Sequence, residues 1–265
     1  QIPKRQRLLG EGELSGKEQT KKLAAHDDET SRMAPFGSFR RLRGKVRPRA
    51  AFSLHAMKPI FALFFAFSAF AAEQLAQKGE LIFSDDFERT ELGEWQPLIP
   101  SFAVQNGVLK GWQTRDDHGA VGRVYRPMKD VIVEFKFMLD GSTGFNAVFD
   151  DKNHKGSHAG HICRVAFAPK QIRIGDDKEG VMRNDIFEMR KDPAKKAEAD
   201  KLLVGRGSAV NRVVEPKKWH SVVIDLKGDQ LRVTMDGEPA GVLKSPGIAH
   251  ETKQSFHFTV NGPGV

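Results

Sequence analysis

From about residue 100 onward, apolar and polar side chains alternate with a period of two, and this pattern restricts the chain to half-buried strands. Val131, Val133, Phe135 and Phe137 fall on one face of such a strand, opposite Ile132, Glu134, Lys136 and Met138. Phe145, Ala147 and Phe149 alternate with Asn146, Val148 and Asp150, and Cys163, Val165 and Phe167 with Ile162, Arg164 and Ala166. Phe256, Phe258 and Val260 alternate in the same way with Ser255, His257 and Thr259. Asn106-Gly107 and Asp236-Gly237 supply the positive φ angles that tight hairpins need. Trp219 to Leu226 reads as a further core-facing strand, and one short helix is predicted, with Asp192 as N-cap, Pro193 at its first position and Gly205 beyond its end. Many strands with almost no helix predict an all-β, two-sheet jelly-roll sandwich. The chain stops at Asn261-Gly262-Pro263-Gly264-Val265, straight after a strand, where a closing strand is expected; this reads as truncation at the C-terminus.

The sandwich is predicted to occupy residues 72–265, behind a secretory signal peptide at 57–71. Met57-Lys58 gives the positive start, Ile60 to Phe70 the uncharged apolar run, and Ala69-Phe70-Ala71 the small-x-small cleavage site before Ala72. That run is shorter than the ~20 residues a membrane span requires, so no stable membrane insertion is expected after cleavage. Residues 1–56, rich in Arg, Lys, Gly and Ser, read as a disordered extension or as sequence translated from too early a start. A twin-arginine signal around Arg40-Arg41 is the second choice. The destination is periplasmic or extracellular.

Removing that leader changes the charge argument. Of the 42 Lys and Arg, 14 lie in the first 58 residues, with 6 of the 34 acidic residues, so the remainder carries 28 of each. The formal charge of +8 therefore resides in the leader, and the neutral remainder gives no support for a nucleic-acid partner. Cys163 is the only cysteine, which rules out an internal disulfide and fits a small core residue.

Polar residues concentrate at Arg115 to Gly119, Asp150 to His161 and Gly175 to Gly180, in loops where a rigid sandwich carries its binding groups. His154, His158 and His161 lie close together, but Gly156 and Gly160 argue against a helix that would align them, and no zinc signature is completed. A calcium loop opening at Asp151 places Lys155 where an oxygen ligand is needed and Ile162 where the closing Glu belongs. No cofactor is expected; a divalent metal held by carboxylates from separate loops is the alternative. The Glu-x-Asp-x-Glu run by which sandwich glucanases hold two catalytic carboxylates is missing, which argues against ordinary retaining hydrolysis. If the aromatic residues point inward, Asn146, Asp150, Arg164 and His257 point outward together. Carboxylate, guanidinium, imidazole and amide suit the hydroxyls and carbonyls of a sugar.

From about Leu81 onward the chain resembles the 3-keto-disaccharide hydrolase family. The likeness is carried by Phe83-Ser84-Asp85-Asp86-Phe87, Trp95, Asn106-Gly107-Val108-Leu109, Val131 to Phe137, the Asn146 strand, Asp225 to Gly237 and Ser245-Pro246-Gly247-Ile248. It implies a concanavalin A-like jelly roll in an exported bacterial protein acting on sugars. The chain departs from the family in following Asn146 with Ala147 and in the strand His161-Ile162-Cys163-Arg164. The activity implied is elimination: a ketone at C3 acidifies the C2 proton, the glycosidic bond leaves, and water adds back. Such a site needs a base and an electrophile for the enolate oxygen. The resemblance makes Asp150 or His118 the base and gives Arg164 and His257 the oxyanion, with Asp117 and Asn146 orienting the sugar. Trp112 and His161 complete the binding set, although His161 shares the parity of core-facing Cys163. The alternative is a non-catalytic carbohydrate-binding or adhesion module, which would stack sugar rings on exposed Trp or Tyr.

Overall fold

The computed structural model describes residues 75–265, and the predicted signal peptide at 57–71 lies outside the described residues. β1 (Gln96–Ile99) leads to the hairpin β2 (Phe102–Gln105) and β3 (Val108–Gly111). Asn106 and Gly107 between them have φ of 53° and 72°, the paired positive values of a two-residue hairpin turn. β4 (Ala120–Met128), β5 (Val131–Phe137) and β6 (Gly144–Asp150) follow, and then β7 (His161–Ala168) and β8 (Gln171–Asp176). Two short helices, α1 (Asn184–Met189) and α2 (Lys196–Leu202), precede β9 (Gly207–Asn211). The chain then forms β10 (His220–Lys227), β11 (Gln230–Met235), β12 (Glu238–Lys244) and β13 (Lys253–Asn261). Among the described residues no helix is long and apolar enough to cross a membrane.

The strands form a seven-stranded antiparallel sheet in the order β1-β4-β13-β6-β7-β8-β9 and a four-stranded one in the order β12-β11-β10-β5, so the all-β jelly-roll sandwich expected from alternation is the fold. Phe145, Phe149, Val165, Phe167 and Val260 from the large sheet meet Phe137, Val222, Ile224 and Leu231 from the small one in a single core. Phe145 stacks on Phe167 at 4.9 Å, and Phe135 packs edge-on against Phe145, Phe167 and Phe258. Each buried Phe contributes roughly 1.5–3 kcal/mol by leaving water, so this aromatic seam is a major source of the sandwich's stability.

Two expectations need correction. The helix predicted from Pro193 opens only at Lys196, as α2, because Asp192 Oδ1 accepts the backbone N–H of Ala194 at 2.9 Å and closes a turn there, and a further helix, α1, lies upstream of it where none was predicted. Trp219 lies just outside β10 and is 50% exposed; the core parity of that strand is His220, Val222, Ile224 and Leu226. β13 sits between β4 and β6, and beyond it Val265 exchanges two backbone hydrogen bonds with Gly111 at 2.9 Å each.

Candidate functional site

Strand order decides which outward residues meet. β4, β13, β6 and β7 are consecutive neighbours, and their registers align Arg123, His257, Val148 and Arg164 in one row across the sheet. The next row is Tyr125, Ser255, Asp150 and His161. Because the aromatic residues of these strands fill the core, both rows lie on the opposite face.

His161 joins that face through a β-bulge. Cys163 pairs with Phe149, but Asp150 pairs with His161, leaving Ile162 as an extra residue. Ile162 and Cys163 consequently both point into the core, and His161 turns to the polar side. His161 and Arg164 thereby become successive side chains on one face of β7.

Asp150 is 1% exposed and is the hub of the site. Its Oδ1 lies 2.6 Å from His161 Nδ1, its Oδ2 lies 2.9 Å from His257 Nδ1, and Arg123 Nη2 donates to Oδ2 at 2.7 Å. An ionised carboxylate only accepts, so both imidazoles turn a protonated Nδ1 toward Asp150; Arg123 Nη2 also lies 3.4 Å from His257 Nδ1, and neither Nε2 has a hydrogen-bond partner among the described residues. The two rings are 5.8 Å apart between centroids. Burial alone would raise the Asp150 carboxyl, but the hydrogen bonds and charge of His161 and His257 outweigh it and hold the group well below the ordinary carboxylate range. Burial pushes His257 down, against the attraction of Asp150, so its ring is neutral at neutral pH.

The remaining predicted residues are distributed unevenly. Arg164 stands beside the hub but is engaged by Asp177, to which its Nε donates at 2.6 Å. Asn146 is half-buried on the same face, one pleat from Val148. His118 is exposed and donates Nδ1–H to the Gly119 carbonyl at 2.8 Å. Asp117 is exposed and held by Arg115 through Nε at 2.8 Å and Nη2 at 2.5 Å. Trp112 is half-buried just past β3, with its backbone paired to Ser101. No hydrogen bond or ion pair among the described residues joins these last three to the hub.

Arg123 escaped sequence reading, and Asp177 was placed only within the polar run Gly175 to Gly180. β4 is Ala-Val-Gly-Arg-Val-Tyr-Arg-Pro-Met, too irregular in polarity to announce a strand, and Arg123 reaches Asp150 only because β13 lies between β4 and β6. Tyr125, 36% exposed, is the aromatic ring of the hub's row, and the Arg123 guanidinium lies 5.9 Å from its centroid.

Of the three neighbouring histidines, His154 parts from the others and packs on His250, which pairs with Asp151 at 2.8 Å, while His158 stacks on Phe187 at 4.2 Å with its ring 6.3 Å from that of His161. Metal-ligand types gather instead at Asp150, His161 and His257, whose donor atoms lie within 4.8 Å of one another. A divalent ion there would have to displace both Nδ1 protons from their hydrogen bonds and sit beside the Arg123 cation. The donor set fits a carboxylate bridging two imidazoles better than a metal centre.

No family model matches the chain, and no curated protein matches it in sequence. Solved structures of similar architecture include a carbohydrate-binding module, CBM66 from Bacillus subtilis, at 10% identity and a TM-score of 0.44, covering 65% of this chain and 91% of that one. Another is SCLam, a non-specific endo-beta-1,3(4)-glucanase from family GH16, at 10% identity and a TM-score of 0.46, covering 71% and 83%. A laminarinase from Flavobacterium sp. UMI-01 matches at 11% identity and a TM-score of 0.47, covering 69% and 87%. At these values the likeness is one of sandwich architecture, and the chemistry of the site must come from its own residues.

Proposed function

We propose that the chain is an exported carbohydrate-active protein that holds a sugar on the polar face of its large sheet and moves a proton there, cleaving 3-keto-glycosides by elimination and hydration. The observation that carries this reading is one buried carboxylate binding two imidazoles by Nδ1 and leaving both Nε2 atoms free. Such an arrangement turns each ring into an oriented base. Asp150 is then a positioning residue; its own oxygens are committed to three donors, and a carboxyl held so far below its ordinary range is too weak a base for a C–H proton.

His161, the more exposed of the two rings, takes the C2 proton on Nε2. The electron pair moves into the C2–C3 bond, and the charge on the C3 oxygen is met by the Arg164 guanidinium. The carbonyl re-forms as the C1–oxygen bond breaks, and protonated His161 returns its proton to the departing alkoxide. Water then adds at C1 of the enone, with a proton lost from that water and one gained at C2, giving the free 3-keto sugar and an alcohol. Tyr125 offers an apolar ring face on which the sugar stacks.

The test is incubation of the protein with 3-keto-glucosides of both anomers and with the parent glucosides, in deuterium oxide. Release of the alcohol from the keto substrates alone, with deuterium entering C2, is expected, and His161→Ala abolishes both. Retained affinity for sugars without release or exchange would instead support the non-catalytic carbohydrate-binding module.

A further inference from the structure

Asp177 is fully buried, and among the described residues its one side-chain partner is Arg164. The pair is half-made. Arg164 Nε donates to Asp177 Oδ2 at 2.6 Å, whereas Arg164 Nη2 and Asp177 Oδ1, the atoms that would complete a two-pronged fork, are both buried without a hydrogen-bond partner. A core carboxyl with an unsatisfied oxygen destabilises a fold, so packing alone does not account for its presence.

Its placement is specific to the site. The backbone N–H groups of Asp177 and Lys178 both donate to the Ile162 carbonyl, at 2.9 and 3.0 Å. Ile162 is the bulge residue that turns His161 outward, so the same irregularity fixes the base and the segment under Arg164. Gly175 faces Arg164 in register, and a Cβ built there would lie 3.7 Å from Asp177 Oδ1 and 3.8 Å from Arg164 Cγ, which locates the carboxyl on the polar face beside the arginine.

We propose that Asp177 is a positioning residue of this site, fixing the Arg164 guanidinium beside His161 at the point where the substrate's oxygen gains negative charge. The part concerning charge rests on the proton-transfer reading above; the part concerning Arg164 does not. Burial pushes the Asp177 carboxyl above its ordinary range, against the pull of Arg164. A raised folded value stabilises only at low pH and is lost as pH rises through it, so at neutral pH removing this acid relieves the fold.

The experiment compares wild type with Asp177→Asn, Asp177→Ala, Arg164→Ala and the double variant Asp177→Ala/Arg164→Ala. In the ligand-free protein the Arg164 Nε–H signal in ¹⁵N NMR is expected to be protected from exchange, and to lose that protection in Asp177→Ala. Asp177→Asn is expected to melt at or above the wild-type temperature. With 3-keto-glucosides, Asp177→Ala lowers kcat about 100-fold by misplacing a charge-bearing group. The double variant is no slower than Arg164→Ala alone, because the two residues act as a unit. An exchanging Nε–H in wild type, or additive losses in the double variant, would overturn the proposal. Should wild type cleave neither anomer, the proton-transfer reading fails, and the Nε–H signal and the melting temperature still decide whether Asp177 fixes Arg164.

Discussion

Replacing Asp150 with Asn tests the hub most directly. The carboxylate accepts from Arg123, His161 and His257, whereas an amide has one accepting oxygen and turns a donor toward whatever faced the other. If that oxygen stays with Arg123 and one ring, the second ring must move its proton to Nε2 to accept from the amide. Two charge-assisted contacts are weakened by about 1.5 kcal/mol each, a loss of about 3 kcal/mol, against the ~5–15 kcal/mol by which such a domain is stable. The variant therefore folds. With an m-value of about 2 kcal/mol/M in urea, its midpoint falls by about 1.5 M, which is readable by fluorescence of Trp95, Trp112 and Trp219. The acid limb supplies a second readout. Asp150 lies below its ordinary range when folded, so its contribution is complete above the unfolded value of ~3.9 and is lost as pH falls further. Wild type and Asp150→Asn should thus differ fully above about pH 4, and the gap should shrink progressively below it, closing only as pH falls through the depressed folded value. A variant within about 0.5 kcal/mol of wild type at pH 7, or a gap that does not shrink in acid, would refute the hub as described.

Other expectations are more local. Gly247→Ala drives a methyl into the Asp176 carboxyl, which already accepts from Gly247 N at 2.9 Å and Ser245 Oγ at 2.5 Å; overpacking of about 3 kcal/mol should lower Tm by roughly 9 °C. Cys163 is wholly buried and its thiol is pushed far up by that burial, so it should resist a disulfide reagent such as DTNB until denaturant is added. Labelling at the native rate of a free thiol would contradict the core packing. A chelator should leave Tm and sugar turnover unchanged, because Arg123 already supplies the positive charge on Asp150; loss restored by a divalent ion would make Asp150, His161 and His257 metal ligands.

Much of this was legible from alternation, since a period of two fixes face as well as secondary structure. Phe145 to Asp150, Cys163 to Phe167 and Phe256 to Val260 each put their aromatic or aliphatic residues inside, which sends Asn146, Asp150, Arg164 and His257 to the other side. Alternation says nothing about neighbours, however. That Asp150 meets His257 follows from β13 inserting between β4 and β6, a long-range pairing no local pattern encodes, and Arg123 was lost for the same reason. His161 defeated parity because one extra residue inverts it. His118 and Asp117 looked chemical in a polar run, but Gly119 and Arg115, one and two residues away, satisfy them locally.

The bulge at Ile162 also says how such a site arises and disappears in descent. In a regular pairing of β6 with β7, the residue opposite Asp150 would be Ile162 and the imidazole would lie a position further out, on the wrong side of the ribbon. Substitutions can change what His161 is, but a change of chain length between it and Cys163 changes which way it faces. The Ile162 carbonyl also anchors Asp177, so the same event would loosen the ground under Arg164. Among relatives of this sandwich, a gap of a single residue at this point would therefore separate chains that carry the site from chains that do not, even where every side chain of the hub is retained.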